Sequence, residues 1–188
     1  MKDIKPDRKT TQLTDGSILL RPLRNSDAEK VYRSIRSSIT ELSLWLPFAH
    51  KDYSLKDCRD WIGKRPREWK KGINYDFGIF DVKTGEHIGT CSFNEISKMD
   101  SRANLGYYVR SDRTGQGIAV AATKLLAKWG FEVLKLNRID ILVAVENQRS
   151  LRVAEKVGAK REGVLRNRID IRGELHDAVM HSLVPGEV

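Results

Sequence analysis

The sequence predicts a mixed α/β fold, in which several helices pack against one sheet. Its 188 residues include 40% hydrophobic and 31% charged residues, enough for one core and too few for two comfortable domains. Segments with a period of two residues alternate with segments of helical period, in the order strand, two helices, three strands, helix, strand, helix and two strands. The sequence shows no internal repeat. We therefore expect one domain over residues 1–188, with residues 1–12 flexible.

The first part of the chain is predicted to hold one strand and two helices. The apolar run Ile18–Leu20 is the strand, and Pro22 ends it. One helix is expected over about 27–37. A second, basic helix begins after Ser54, which suits an N-cap, and reaches about residue 71. Pro66 is expected to break this second helix, because proline removes a backbone donor.

The remainder of the chain alternates strands with two helices. These helices are predicted to begin near Ile118 and just after Asn147, and Gly158 is expected to end the second. The predicted strands are Tyr75–Val82, His87–Asn94, Ala103–Val109, Ile139–Val145, 160–167 and 175–184. Apolar residues alternate in Ile139–Val145, as in a half-buried strand.

The basic excess of this sequence is concentrated in two windows. Lys and Arg number 34 against 25 Asp and Glu, a formal net charge of +9. Residues 51–72 hold 8 basic and 4 acidic side chains, residues 149–172 hold 8 and 3, and the rest of the chain is neutral. Such windows indicate an anionic partner, which could be nucleic acid, a phosphorylated cofactor or an acidic protein.

The cysteines and the N terminus point to a reducing compartment. Cys58 and Cys91 lie far apart without a CxxC pair or a Cys/His cluster, so neither a disulfide framework nor a metal site is expected. Residues 1–12 lack an apolar signal core, and no charge-free stretch is long enough to span a membrane. We expect a cytoplasmic protein without a membrane partner.

A glycine-containing loop precedes the helix that begins near Ile118. Gly115 and Gly117 let backbone N–H groups approach an anion, and the helix N terminus adds a partial positive charge. Residues 113–119 are therefore a candidate phosphate cradle. They are not a P-loop, because no Lys-Ser or Lys-Thr pair follows Gly117. By itself, a tight turn would explain the two glycines equally well.

Residues Thr114–Ala119 resemble the pyrophosphate-binding pattern Q/R-x-x-G-x-G/A of the GNAT superfamily of N-acetyltransferases. Thr114 departs from the pattern, since Gln or Arg is usual there, although Arg113 is adjacent. The resemblance covers nearly the whole chain, from Leu20 to Met180.

Two further motifs are similar to those of the RimJ/RimL-type ribosomal-protein acetyltransferases. One is Asn147–Ser150 followed by Glu155–Ala159 and Glu162-Gly163, with Ala159 where Phe is common. The other is Arg172–Asp177, which is similar to the turn before the last strand in that branch. The three motifs occur in the family's order.

The resemblance implies the GNAT fold, with a mostly antiparallel central sheet flanked by helices. Its fourth strand, here Ala103–Val109, carries a bulge and splays away from the fifth, Ile139–Val145. The pantetheine arm of acetyl-CoA, the implied co-substrate, lies in the opening. Asn147 either bonds this arm or caps the next helix, and both roles can coexist. The implied cofactor-binding residues are Tyr107, Tyr108, Val109, Arg113, Thr114, Gly115, Gln116, Gly117, Ile118, Ala119, Asn147 and Ser150.

The resemblance implies a general acid and leaves the general base open. A hydroxyl at Ser150 would protonate the departing CoA thiolate, while the alternative is that Ser150 only caps its helix. The Glu that some members place before the last strand is replaced by Ile169. Glu95 is the substitute candidate, acting through a water, and a plain surface carboxylate is its alternative. We expect His176 and Asp177 to fix the turn before the last strand.

The acceptor is the least determined part of the reaction. We expect acetyl transfer to a primary amine by direct attack in a ternary complex, with a protein N terminus of the ribosomal-protein class as the favoured acceptor. Trp45 and Phe48 either line the acceptor groove or cover the core. The window 51–72 is expected to flank that groove, while Arg149 and Arg152 in the other window could meet the CoA phosphates.

Other functions remain open. The basic windows fit an acidic or ribosome-associated protein and disfavour polyamines. A small-molecule amine is the alternative acceptor. A domain that binds CoA without catalysis and a nucleic-acid-binding module are the alternatives from other classes, although residues 149–172 lack the aromatic side chains that base stacking requires. The family often forms dimers, and the sequence does not determine the oligomeric state.

Overall fold

The computed structural model describes residues 6–188. The first five residues of the segment expected to be flexible lie outside the described residues. Within the rest of that segment, Trp69 Nε1 donates a hydrogen bond to the Pro6 carbonyl at 2.9 Å, and the Arg8 guanidinium donates to the Leu23 carbonyl. These bonds attach residues 6–8 to the protein body.

The described residues form one eight-stranded sheet with the strand order β1-β2-β3-β4-β5-β6-β8-β7. All neighbouring strands run antiparallel except β5 and β6, which are parallel. The predicted mixed α/β fold and its mostly antiparallel sheet are confirmed. The strands are β1 (Leu13–Thr14), β2 (Ile18–Pro22), β3 (Tyr75–Asp81), β4 (His87–Ser97), β5 (Arg102–Val109), β6 (Arg138–Ala144), β7 (Lys160–Ile171) and β8 (Glu174–Leu183).

Five α-helices and two short 3-10 turns connect the strands in the described part of the chain. The helices are α1 (Ala28–Arg36), α2 (Ile39–Leu42), α3 (Leu55–Lys71), α4 (Ile118–Glu132) and α5 (Gln148–Val157), and the turns are Asn25–Asp27 and Ser111–Arg113. As predicted, Ser54 caps α3, accepting from Asp57 N–H at 3.2 Å. The expected break at Pro66 is wrong, because α3 continues through it. Burial of Cys58, Ile62 and Trp69 along one face stabilises the helix despite the missing donor.

The irregular register lies on β4, and not on the strand Ala103–Val109 where a bulge was expected. The pairing of β4 with β5 shifts between Asn94 and Ser97, so that Glu95 and Ile96 face one residue of β5. Glu95 has a φ of 47°, which is the left-handed region. Residues 104–109 of β5 pair with β4 without a shift. The extra residue therefore belongs to the neighbouring strand, as expected where one residue adopts a left-handed backbone.

Two clusters of buried side chains hold the helices on the sheet. The larger packs α4 and α5 onto the strands and includes Phe77, Phe93 and Leu126. The smaller joins α1 to α3 and includes Val31 and Ile62. In the described part of the chain, none of the helices combines the length and the hydropathy needed to cross a lipid bilayer.

Candidate active site

A cavity of about 600 Å³ lies between β5 and β6. The two strands pair over only three residues each, beginning at Arg102 and Arg138. The residues that follow, 105–109 of β5 and 141–144 of β6, line the cavity. Backbone groups on unpaired strand segments are available for hydrogen bonding. The cavity therefore suits an extended ligand that carries amide groups.

The glycine-containing loop and the N terminus of α4 form part of the cavity wall. Gly115 and Gly117 have φ angles of 77° and 79°, a conformation that favours glycine. Gly117 is the N-cap of α4 and offers no side chain to its free N–H groups. Its carbonyl accepts from Ala121 N–H at 3.0 Å, whereas the preceding N–H groups belong to the unpaired first turn. Residues 118–120 line the cavity, so this turn can bind an anion.

The side chains of the loop contribute less than its backbone. Arg113 lines the cavity, but its guanidinium pairs with Asp81 at 3.2 Å. The hydroxyl of Thr114 donates to the Ser111 carbonyl at 2.8 Å. Gln116, which was predicted to bind the cofactor, is not among the lining residues. Anion binding by this loop therefore rests on its N–H groups.

Three basic side chains of α5 line the same cavity, and they are Arg149, Arg152 and Lys156. Their spacing of three and four residues puts them on one face of the helix. All three are exposed, and among the described residues none of them forms an ion pair. Their charge is therefore uncompensated and available to a phosphate group.

Asn147 and Ser150 stand at the start of α5 and also line the cavity. Asn147 Oδ1 accepts from Ser150 N–H at 3.1 Å, so Asn147 does cap the helix. Ser150 Oγ lies 2.8 Å from the hydroxyl of Tyr107. Burial raises the pKa of Tyr107 to about 12, although its hydrogen bond to Ser150 acts in the opposite direction. Tyr107 is therefore protonated at neutral pH and can donate to the Ser150 oxygen.

Backbone N–H groups of β5 point into the cavity. Arg110 N–H donates to the Ile88 carbonyl on β4 at 2.8 Å. Because successive residues of a strand direct their N–H groups to opposite edges, those of Tyr107 and Val109 face away from β4 and toward the cavity. These two are the donors that could stabilise an oxyanion, and both belong to the residues that the resemblance implied for cofactor binding. Tyr108, between them, points its carbonyl back toward Gly89.

Besides Gln116, two predicted site residues do not reach the cavity. Phe48 packs its ring on Tyr108 at a centroid distance of 6.1 Å and is 43% exposed. Glu95 pairs with Arg168 at 2.9 Å and lies outside the lining. Trp45 does line the cavity, so the two aromatic residues that were considered together have different positions.

The hairpin of β7 and β8 contributes to the cavity and is attached at two points. Ile169 and Ile171 are among the lining residues. Arg168 reaches Glu95 on β4, and the Arg172 guanidinium donates to the Ser43 carbonyl beyond α2. These contacts connect the hairpin to β4 and to the segment after α2.

His176 and Asp177 have structural contacts, as expected, but these support β7 more than the turn. Asp177 Oδ1 accepts from Asn167 N–H at 2.9 Å, where the register of β7 shifts. The turn itself is held by Asp170 Oδ1, which accepts from Gly173 N–H at 2.6 Å. His176 Nδ1 lies 3.6 Å from the carboxylate of Glu146.

The basic window 51–72 does not border this cavity, contrary to expectation. Its helix α3 packs against α1 and β3, and the lining contains no residue of the window. Burial of the apolar face of α3 decides this position, and most of its basic side chains are exposed, whereas Arg65 is largely buried and pairs with Asp76 on β3 at 3.1 Å. Some of them are paired locally, as Lys56 is with Asp60 at 2.7 Å. The two basic windows therefore lie on different surfaces of the protein.

Sequence reasoning missed two charged residues of the site. Lys156 continues the spacing of Arg149 and Arg152 along α5, and this period of three and four could have identified it. Glu41 on α2 also lines the cavity. It had no signal in the sequence, because only tertiary packing brings α2 to β5 and β6.

Comparison with known proteins identifies a family. A family model described as "Acetyltransferase (GNAT) domain" matches residues 17–160. YdaF of Bacillus subtilis (strain 168), provisionally named a ribosomal N-acetyltransferase, is 32% identical over 171 residues, covering 90% of this chain and 92% of its own.

Two relatives from Escherichia coli (strain K12) carry more specific names. The ribosomal-protein-serine acetyltransferase is 29% identical over 80% of this chain and 83% of its own length. The spermidine N(1)-acetyltransferase is 26% identical over 87% of this chain and 83% of its own length. Among solved structures, Mycobacterium smegmatis RimJ in complex with CoA-disulfide superposes with a TM-score of 0.85, at 26% identity, over 95% of this chain and 88% of that one.

Proposed function

Since the chain belongs to the acetyltransferase (GNAT) family and is an N-acetyltransferase close to the RimJ/RimL type, we propose that it moves acetyl from acetyl-CoA to a protein N terminus of the ribosomal-protein class. The whole chain, residues 1–188, is proposed as one domain with this activity. The observation that carries the proposal is the single cavity that joins the N terminus of α4, the basic face of α5 and the Ser150–Tyr107 pair.

The residues of the cavity fit acetyl-CoA at each of its parts. The N–H groups at the start of α4 suit the diphosphate, and Arg149, Arg152 and Lys156 suit its further negative charge. The unpaired segments of β5 and β6 can bond the amides of the pantetheine arm. We propose that Asn147 also bonds this arm while it caps α5. The apolar side chains of Val109 and Val143 can pack against the methylene groups of the arm.

The proposed reaction is a direct transfer in a ternary complex. The neutral amine nitrogen attacks the thioester carbonyl carbon, so that a C–N bond forms and the carbonyl oxygen becomes negative. The N–H groups of Tyr107 and Val109 are the proposed donors to that oxygen. The C–S bond then breaks, the amine loses its extra proton and the CoA sulfur gains one.

Ser150 is the proposed proton donor to the CoA sulfur. Its hydroxyl lies in the cavity and contacts Tyr107 OH at 2.8 Å, so Tyr107 can replace the proton that Ser150 gives up. Glu95 remains a candidate base only through an intervening water, because its carboxylate is bound by Arg168 outside the cavity lining.

The acceptor has two candidates, and the charge of the cavity favours the first. The Escherichia coli relative named for ribosomal-protein serine supports a protein N terminus, and the spermidine N(1)-acetyltransferase supports a polyamine. Three unpaired cationic side chains, those of Arg149, Arg152 and Lys156, line this cavity together with Arg113, which is paired with Asp81, and with Glu41 as the single acidic residue among the described residues. A polycation would be repelled by this balance, whereas one terminal ammonium would be tolerated.

The test is release of free CoA thiol from acetyl-CoA in the presence of defined amines. The panel contains N-terminal peptides of ribosomal proteins, spermidine and an aminoglycoside, with mass spectrometry of the products. We expect turnover with at least one peptide and little with spermidine. Tight CoA binding without turnover on any amine would contradict the enzymatic proposal, and preference for spermidine would replace the proposed acceptor by the second candidate.

A further inference from the structure

Glu41 is an isolated carboxylate in a basic cavity. It is the only acidic side chain among the described residues that line the cavity, and four basic side chains line it as well. Glu41 is exposed, and among the described residues its carboxylate forms neither an ion pair nor a hydrogen bond. A charge without a partner on the wall of a substrate cavity is available to a ligand of opposite sign.

The backbone around Glu41 is held on both sides. Ser38 Oγ, one turn earlier, accepts from Ser111 N–H at 2.8 Å. The Ser43 carbonyl accepts from Arg172 in the β7–β8 hairpin. Leu42, the next residue, is buried at 8% exposure. Glu41 is therefore presented to the cavity by a fixed segment.

The charge of Glu41 disfavours the phosphates and favours an amine. Near the CoA phosphates a free carboxylate would weaken binding by repulsion, so it serves the other reactant better. Amines are largely protonated at neutral pH, and they arrive as ammonium ions. One carboxylate can compensate one such charge.

We propose that the Glu41 carboxylate binds the reacting amine of the acceptor in its ammonium form, before the amine loses its proton, so that the enzyme selects acceptors whose only cationic group is that amine. This inference rests on the proposed acetyltransferase function and specifies the acceptor of the same site. A second cationic group in the acceptor meets the unpaired basic side chains of α5. Polyamines and lysine-rich N termini are therefore poor acceptors.

The experiment compares Glu41→Gln with Glu132→Gln in the full-length protein. Glu132 lies on α4 outside the cavity lining, with a 63% exposed side chain, so the control makes the same chemical change elsewhere. The acceptor is a peptide whose only cationic group is its N-terminal amine. For Glu41→Gln we expect the acceptor KM to rise at least about tenfold, while the Kd of acetyl-CoA is unchanged or lower. Glu132→Gln should match the parent protein.

Inhibition by the acetylated peptide separates charge recognition from shape. This product has the same side chains but no ammonium group, so its Ki should be the same in Glu41→Gln and in the parent protein. A loss of product binding equal to the loss of acceptor binding would mean that Glu41 only shapes the cavity, and would overturn the inference.

The inference and the proposed function fail in different ways. An unchanged acceptor KM in Glu41→Gln, with normal turnover by the parent protein, would overturn the role of Glu41 alone. A higher kcat/KM for spermidine than for the singly charged peptide would overturn it together with the proposed acceptor class, but not the acetyltransferase function. Absence of turnover by the parent protein with every amine would instead contradict the acetyltransferase function.

Discussion

The hydroxyl oxygen of Tyr107 lies 2.8 Å from Ser150 Oγ and 3.1 Å from the Ser150 carbonyl oxygen. This contact joins β5 to α5 across the cavity, over 43 residues of sequence. Tyr107 has one proton to donate, and it can direct that proton to either oxygen of Ser150. The Ser150 N–H is already committed to Asn147. The serine hydroxyl is thus oriented by the partly buried phenol of Tyr107. A residue that only completes the first turn of a helix would not require this contact.

Removing the hydroxyl of Ser150 should slow the reaction and leave acetyl-CoA binding unchanged. We expect Ser150→Ala to lower kcat by about 10²-fold, the range of general acid catalysis, and Tyr107→Phe to lower it less. The double variant should be no slower than Ser150→Ala, since both residues act on one proton. Steady-state kinetics and a Kd for acetyl-CoA measure this. An unchanged rate in Ser150→Ala would leave Ser150 as a structural residue of the first turn.

Loss of one basic side chain on α5 should weaken the binding of acetyl-CoA and leave the rate of the chemical step unchanged. For Arg152→Ala we expect a Kd for acetyl-CoA about tenfold higher, the value of one charge-assisted contact, and a weaker dependence of Kd on salt. Lys64→Ala, in the exposed part of α3 away from the cavity, is the matched control and should have no effect. Equal effects of both variants would mean that overall charge, and not the face of α5, attracts the cofactor.

Glu95 and Arg168 should behave as one contact between β4 and the β7–β8 hairpin. Their side chains are 52% and 41% exposed, so breaking the pair should cost at most about 1 kcal/mol. We expect Glu95→Gln and Arg168→Met to change kcat/KM to the same small extent, within about fivefold. A large loss of kcat in Glu95→Gln alone, with a shifted acidic limb of the pH–rate profile, would instead support Glu95 as the base.

The fold should lose stability below pH 6.5 because of buried neutral histidine. Burial lowers the pKa of His87 to about 3, and its Nδ1 has no hydrogen-bond partner among the described residues. The unfolded chain takes up this proton near pH 6.5 and the folded chain does not, so stability falls as the pH falls. From pH 7.5 to pH 5 this residue alone should cost about 2 kcal/mol.

Urea unfolding at several pH values tests whether the free energy of unfolding falls as the pH falls. His87→Gln, which cannot titrate, should reduce the slope of stability against pH between 5 and 6.5, whereas the exposed His50→Gln should not. Burial also lowers the pKa of His181, so part of the slope should persist in His87→Gln. A slope identical to that of the parent protein would show that His87 is accessible to protons in the folded state.

Local patterns predicted most elements to within a few residues because each element has its own local signal. The glycine at C-cap position 158 and the cap at Ser54 lie where the sequence indicated. The prediction at Pro66 was wrong because burial of a whole helical face outweighs the loss of one backbone hydrogen bond. A local sequence pattern does not measure that burial. The length of β7 was likewise underestimated, since its irregular register depends on Asp177 from the neighbouring strand.

The candidate site was predictable where it depends on the backbone and unpredictable where it depends on contacts. Gly115 and Gly117 predicted a loop with an accessible backbone before a helix, and both have a φ in the left-handed region that favours glycine. Glu95 follows the predicted strand His87–Asn94 and was considered a candidate base, yet in the structure it lies within β4 and pairs with Arg168, 73 residues away in the sequence. Such long-range pairs produce no periodicity or spacing in the sequence from which they could be predicted.

By itself the sequence determined the order of the longer strands and helices, the glycine-containing loop before α4 and the two basic windows, because these depend on side-chain type and local backbone preference. It did not predict β1 or α2. Only the tertiary structure decided which charges meet in one cavity. Packing directs the basic side chains of α3 to another surface. It brings Arg149, Arg152 and Lys156 to the cavity wall, together with Glu41, whose charge has the opposite sign. Burial of apolar faces sets these positions, and the charged residues follow the faces to which they are attached.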